Sequence, residues 1–373
     1  MLKFSRVLID KENKCEACSV ADFNNDGKLE IICGEYMYSG RNSDSDFMTK
    51  TKICDIKYDG GYLHDFSDYP LDVNGDGWLD IITGSWWSEG LYWRENPGVA
   101  AVAIKADWRW KTHKIADTSN IETIRYFDID NCGTVEIFPN CPGEPQSFYK
   151  LLKDDNGKAT GEFKKYIIGS QNAGHGMGFG DITGNGRTDI ILSNGWFEQP
   201  DNVYAENWEF HGGWEVAGAS VPILVHDVNG DGVPDIIIGA GHNFGLFWFE
   251  QIIKADGTRE FIKHDIDSAC SQYHDMQLFD IDNDGELELV TGARYFAHNG
   301  NDPGEHNPIG TYIFKIKKMP SGEIIFDKNT LDYGSAERAS GVGIYFWLAD
   351  LTGNGYHDII APGKEGLYIF YNN

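Results

Sequence analysis

Seven times along the chain the sequence returns to one short phrase of aspartate, asparagine and glycine. It reads Asp22-Phe-Asn-Asn-Asp26-Gly27, Asp72-Val-Asn-Gly-Asp76-Gly77, Asp128-Ile-Asp-Asn-Cys132-Gly133 and Asp181-Ile-Thr-Gly-Asn185-Gly186. It continues with Asp227-Val-Asn-Gly-Asp231-Gly232, Asp280-Ile-Asp-Asn-Asp284-Gly285 and Asp350-Leu-Thr-Gly-Asn354-Gly355. The first aspartates are spaced by 50, 56, 53, 46, 53 and 70 residues. A period of this length, with strand-like runs between copies, points to a propeller or another repeat array.

The flanks set the content of each unit. An apolar run precedes the phrase, as in Pro222-Ile-Leu-Val, and a second follows it, as in Asp235-Ile-Ile-Ile. A third run (Gly245-Leu-Phe-Trp-Phe) and a more amphipathic fourth (Phe261-Ile-Lys-His-Asp) complete the unit. β-Branched and aromatic residues between Gly, Asp and Asn turns are strand signals. The expected fold is all-β: a seven-bladed propeller of four-stranded antiparallel blades, one domain over residues 1–373. Phe4-Ser-Arg-Val-Leu-Ile-Asp10 looks like a fourth strand, and Gly366-Leu-Tyr-Ile-Phe370 like a third with no fourth after it. The N-terminal strand is therefore expected to complete the last blade and close the ring. Trp93 and Trp248 are expected to pack between blades.

Composition narrows the partners. Lys and Arg total 31 against 58 Asp and Glu, a net charge of −27, which opposes any nucleic-acid partner. No run of 18 apolar residues is present, so no membrane span is expected. The N-terminal stretch lacks the apolar core of a signal peptide, so the expected compartment is the cytoplasm. The seven cysteines are odd in number and scattered, which is no disulfide framework.

The phrase follows D-x-[DN]-x-D-G-x-x-[DE] and resembles the calcium loops of FG-GAP and VCBS repeats. Four copies keep every oxygen: Asp22, Asn24, Asp26, Glu30; Asp72, Asn74, Asp76, Asp80; Asp227, Asn229, Asp231, Asp235; and Asp280, Asp282, Asp284, Glu288. Alternating oxygen ligands suit structural Ca²⁺. The same residues also suit an Asx-turn, in which the carboxylate accepts backbone N–H groups.

Chemistry is expected at the opposite face. Six residues before each first aspartate stand Glu16, Phe66, Glu122, His175, Val221, His274 and Ile344. These begin the innermost strands and should ring one mouth of the channel. The connections between second and third strands return to that face, carrying Trp86, Trp87, Trp196, His242, Arg294, His298 and Asp302. His175, His274, Glu122 and Glu16 are the candidate ligands of one divalent transition metal, of the zinc or manganese type. Trp196, Trp86, Trp87, Asp302 and Asp65 are the candidate substrate-binding residues, in keeping with a sugar stacked on aromatic faces. No phosphate loop, dinucleotide fingerprint or serine nucleophile motif occurs.

Gly174-His175-Gly-Met-Gly-Phe-Gly-Asp181, Gly195-Trp-Phe-Glu-Gln-Pro200, Ser271-Gln-Tyr-His274 and Gly292-Ala-Arg-Tyr-Phe-Ala-His298 with Asp302-Pro-Gly304 are similar to strings in a known group. They resemble the VCBS-repeat propellers related to the propeller domain of aldos-2-ulose dehydratase, also called 1,5-anhydro-D-fructose dehydratase. The resemblance implies a zinc-dependent elimination on a keto-sugar at the mouth. The expected chemistry is α-proton abstraction and β-elimination, a dehydratase or glycoside lyase. His242 or His298 is the base, Arg294 stabilises developing charge, and Tyr273 or a metal-bound water protonates the leaving group. A separate sugar oxidoreductase is expected to supply the keto-sugar. The alternatives are a carbohydrate-binding propeller without catalysis and a protein-interaction scaffold.

Overall fold

The computed structural model describes residues 3–41, 47–87, 90–98, 109–172 and 174–373. The strands among them form seven four-stranded antiparallel units, two of which join into one eight-stranded sheet through a parallel pairing of Met177–Gly180 with Ile223–His226. The fifth unit is representative: Ile223–His226, Asp235–Gly239, Phe244–Ile253 and Arg259–Ser271, each antiparallel to the next. The chain is an all-β propeller of such four-stranded blades.

Position in the blade follows from composition. The second strands, such as Glu30–Cys33, Asp80–Gly84, Asp189–Leu192 and Asp358–Ala361, are buried at every residue. Their isoleucines meet neighbouring blades on both faces, and each buried aliphatic side chain contributes roughly 1.5–3 kcal/mol. The fourth strands are half exposed and carry the charge. In the last unit the fourth strand is N-terminal: Phe4–Asp10 pairs antiparallel with Leu367–Asn372, with a register shift between Leu8 and Asp10. Hydrophobic clusters bridge successive units; one joins Val20 and Ile31 of the first to Ile360 and Ile369 of the last.

Three blades share a further device. Trp93, Trp196 and Trp248, on third strands, stack on His113, His211 and His264 of the fourth strands, with ring centroids 4.3, 4.9 and 4.4 Å apart. Each histidine also meets a glutamate two residues beyond the tryptophan: Glu95, Glu198 and Glu250. Trp196 was expected at the mouth, but it belongs to this series. It is 3 % exposed and packs on Trp214 and Phe261 between the fourth and fifth blades.

The aspartate phrases form tight turns. Asp22, Asp72, Asp227 and Asp280 each accept the N–H groups four and five residues ahead. Asn24, Asn74 and Asn229, and in turn Asp26, Asp76, Asp231 and Asp284, each accept the N–H two residues on. Glu30, Asp80, Asp235 and Glu288 reach back to the N–H after the first aspartate. The altered copies make the same turn, as Asp128, Asp181 and Asp350 show. In the sixth copy, whose oxygens were expected to suit calcium, the Lys315 ammonium lies 2.5 Å from Asp282, 3.0 Å from Asp284 and 3.4 Å from Glu288. Lys150 plays the same part in the third copy, bonding Asp130 and Glu136.

Candidate metal centre at the channel mouth

Glu122 stands one residue, and His175 and His274 two residues, before the inner strands Thr123–Phe127, Met177–Gly180 and Met276–Phe279. His242 lies in the turn between Asp235–Gly239 and Phe244–Ile253. Four blades thus deliver four side chains to one point, with their ligand atoms all within 4.8 Å of one another. Glu122 Oε1 is 3.0 Å from His175 Nε2, 3.1 Å from His274 Nε2 and 3.9 Å from His242 Nε2. His175 Nε2 and His242 Nε2 are 2.6 Å apart. Ligand atoms around a tetrahedral zinc ion are about 3.3 Å apart, given bonds of 2.0–2.2 Å.

The outer contacts fix the tautomers. His175 Nδ1 meets the Ala219 carbonyl at 2.6 Å, and His242 Nδ1 meets Asp302 Oδ2 at 2.7 Å. Both partners only accept, so both Nδ1 atoms carry hydrogen, and it is the Nε2 atoms of the two rings that face each other and a carboxylate. Such a donor set suits a cation, and the Nδ1 contacts are of the kind that orients metal-bound histidines. The electrostatics agree. Burial, then His175 and His274, hold His242 far below its ordinary pKa. Burial, with the Arg294 charge, lowers His274 to about 3. Burial works to raise Glu122, but His175 and His274 hold it well below the usual carboxylate range. His274 Nδ1 is buried without a partner.

Beside the four lies a cavity of about 70 Å³ lined by Tyr62, Phe66, Trp86, Trp87, Glu122, Arg294 and His298. Trp87 is 41 % exposed and stacks on His64. His298 stacks on His242, with centroids 4.3 Å apart and planes within 8°. Its Nδ1 lies 2.9 Å from Asp302 Oδ1, so Asp302 holds two imidazoles at once. Below the mouth Arg125 spans the channel. It bonds Asp275 at 2.9 Å and reaches the carbonyls of Val221 and Ile344, two of the ring positions.

Several expected site residues serve elsewhere. Glu16 holds its ring position but pairs with Arg294, Nε to Oε1 at 2.8 Å, and stands outside the four. Arg294 keeps Nη1 buried and unpartnered at the cavity wall. Tyr273 cannot protonate a leaving group at the mouth. Its side chain turns away from His274 into the interblade core, where its hydroxyl donates to Asp267 at 2.8 Å. Asp65 is fully buried against Arg94 at 3.0 Å and Thr83 at 2.7 Å, within the second blade. Lys364 was not foreseen. It sits 3.5 Å above the Tyr62 ring and 3.9 Å from Glu16, and burial lowers its pKa to about 8. Tyr62 and His64 lie in an insertion outside the repeat, so the repeat phase carries no signal for them.

The FG-GAP-like repeat family matches residues 227–291, from the fifth phrase to the second strand of the sixth blade. No curated protein matches the chain in sequence. Among solved structures it is similar to the BBS1N chain of a complex with ARL6DN, at 9 % identity and TM-score 0.52, covering 100 % of this chain and 97 % of that one. It is also similar to an Agrocybe aegerita lectin that recognises non-reducing terminal N-acetylglucosamine, at 16 % identity and TM-score 0.48, covering 88 % and 81 %. At these identities the likeness is one of fold alone: a propeller with an FG-GAP-like repeat. Among the described residues no helix is long and apolar enough to cross a membrane.

Proposed function

We propose that the protein is a metal-dependent carbon–oxygen lyase acting on a keto-sugar or 3-keto-glycoside at the channel mouth. The observation that carries this reading is the convergence of three imidazole Nε2 atoms and Glu122 Oε1, with the Nδ1 protons of His175 and His242 already committed. The similarity of the histidine-bearing strings to the aldos-2-ulose dehydratase propeller supports the same reading.

His175, His242, His274 and Glu122 would hold a zinc- or manganese-type ion, which supplies Lewis acidity toward a carbonyl or hydroxyl oxygen. The remaining work falls to the chain. Trp87, which is 41 % exposed, and Trp86 beside it offer apolar surface to a sugar ring. Both nitrogens of His242 are engaged, so the base is His298. Its Nδ1 is fixed by Asp302, which leaves Nε2 to take the proton α to the carbonyl. Arg294 Nη1 donates to the oxygen that gains charge. The C–H electron pair forms the new double bond, the β C–O bond breaks, and His298 returns the proton to the departing oxygen as water or an alcohol. A separate sugar oxidoreductase would supply the keto-sugar. The test is enone absorbance on incubating zinc- or manganese-loaded protein with 1,5-anhydrofructose and 3-keto-glycosides. His298→Ala should lower kcat at least about a hundredfold; unchanged turnover in that variant rejects the assignment, and saccharide binding without turnover favours a binding propeller.

A further inference from the structure

The loop that carries His298 is held in an unfavourable shape from across the mouth. Phe296, His298 and Asn299 all have left-handed backbones, with φ of 50°, 46° and 55°. For residues with a Cβ this shape persists only where surrounding contacts enforce it. Here the contacts come from an inserted hairpin and from the seventh blade. The hairpin Tyr58–Asp59 and Tyr62–Leu63, inserted between the first and second blades, meets the loop directly. The His298 N–H donates to the Tyr62 hydroxyl oxygen at 2.5 Å, and Asn299 Nδ2 donates to the Gly60 carbonyl at 2.6 Å. Lys364 Nζ, from the seventh blade, donates to the Phe296 carbonyl at 2.7 Å. The fit is close: a Cβ on Gly61 would lie 2.4 Å from Asn299 Oδ1. With the backbone so held, the His298 ring lies flat on His242 with Nδ1 on Asp302. In a relaxed right-handed or extended backbone the Cα–Cβ bond would point elsewhere and both contacts would break.

We propose that Tyr62 and Asn299 are positioning residues: the hairpin straps the 296–299 loop and thereby sets His298 above the four converging ligands. This deepens the lyase reading and rests on His298 being its proton carrier.

The test compares Tyr62→Phe, Asn299→Gly and the double variant with the parent. Phenylalanine keeps the ring under Lys364 and deletes only the hydroxyl. Glycine accepts the left-handed backbone and removes the side chain with its amide. The first readout is hydrogen exchange across residues 294–304 in the metal-free protein, which needs no substrate. The second is kcat and KM with 1,5-anhydrofructose. The double variant should lose amide protection in that segment and about a hundredfold in kcat, with KM within about twofold. The melting temperature should stay near the parent's, because Tyr62→Phe keeps its ring packed with Phe66 and Ile344 and Asn299 is exposed. Retained protection overturns the strap. Lost protection with parental kcat overturns its positioning role. If His298→Ala itself turns over normally, the lyase assignment fails, while the exchange result still decides whether the strap holds the loop.

Discussion

The two faces of the propeller are built from the same polar residues and treat them in opposite ways. On the aspartate-turn face nearly every carboxylate oxygen accepts a backbone N–H or a lysine, and among the described residues only Asp282 Oδ1 is buried without a partner. On the mouth face unpartnered buried atoms gather: Gln272 Oε1 and Nε2, His274 Nδ1, Arg294 Nη1, both oxygens of Glu305 and Glu365 Oε2. A buried polar atom left without any partner costs about 1–3 kcal/mol, so these groups are the ones that gain most from a bound molecule or ion. Stability accounts for the turn face; on the reading proposed above, the mouth is the face that binds.

The strongest way to break this contrast is to remove a ligand. His175→Ala or Glu122→Gln should take bound transition metal from about one equivalent per chain to none, read by elemental analysis after dialysis. Asp22→Ala, on the other face, should leave that metal in place. Trp196→Ala sharpens the assignment of that residue to the frame. It should cost about 3–5 kcal/mol in urea unfolding with metal content unchanged; loss of metal with intact stability would return Trp196 to the mouth. Glu365→Gln addresses the price of an unmet carboxyl. Burial pushes Glu365 up to about 7, while the Gly341 N–H pulls it down. A carboxyl raised in the fold contributes stability below its unfolded pKa near 4.5 and loses it as pH climbs through 7. The variant should therefore match the parent at pH 4 and exceed it by about 3 kcal/mol at pH 8; equal stability at both pH values would show that the carboxyl is solvated. Lys315→Met should cost the least, about 1 kcal/mol, because the lysine is partly exposed. Its loss should also make the melting temperature newly sensitive to calcium, and an unchanged calcium response would contradict the ammonium's role in that turn.

The sequence pattern carried the blade content and the mouth face, because the repeat supplies a phase that survives divergence. Glu122, His175 and His274 were legible as one ring since each stands six residues before its aspartate. Side-chain direction was harder. Tyr273 and His274 lie in the link between Arg259–Ser271 and Met276–Phe279, where no alternation applies, and the Tyr273 ring packs into the core. Trp196 lies inside the strand Gly195–Glu198, where alternation sends it between blades. Glu16 kept the phase, but its partner Arg294 arrives from 278 residues away, and no local signal announces that pairing. The strap was invisible for a similar reason. Tyr62 and Gly60 sit in an insertion, and their contacts with His298 and Asn299 exist only across the assembled mouth.

The central claim is that one ion is held by side chains of four blades. Crystals of zinc-saturated protein, with anomalous differences measured at the zinc edge, test it most directly. The account predicts a single strong peak at about 2.0–2.2 Å from the Nε2 atoms of His175, His242 and His274 and from Glu122 Oε1. No peak at that point, with the three imidazoles bonded only to protein or solvent, would contradict it.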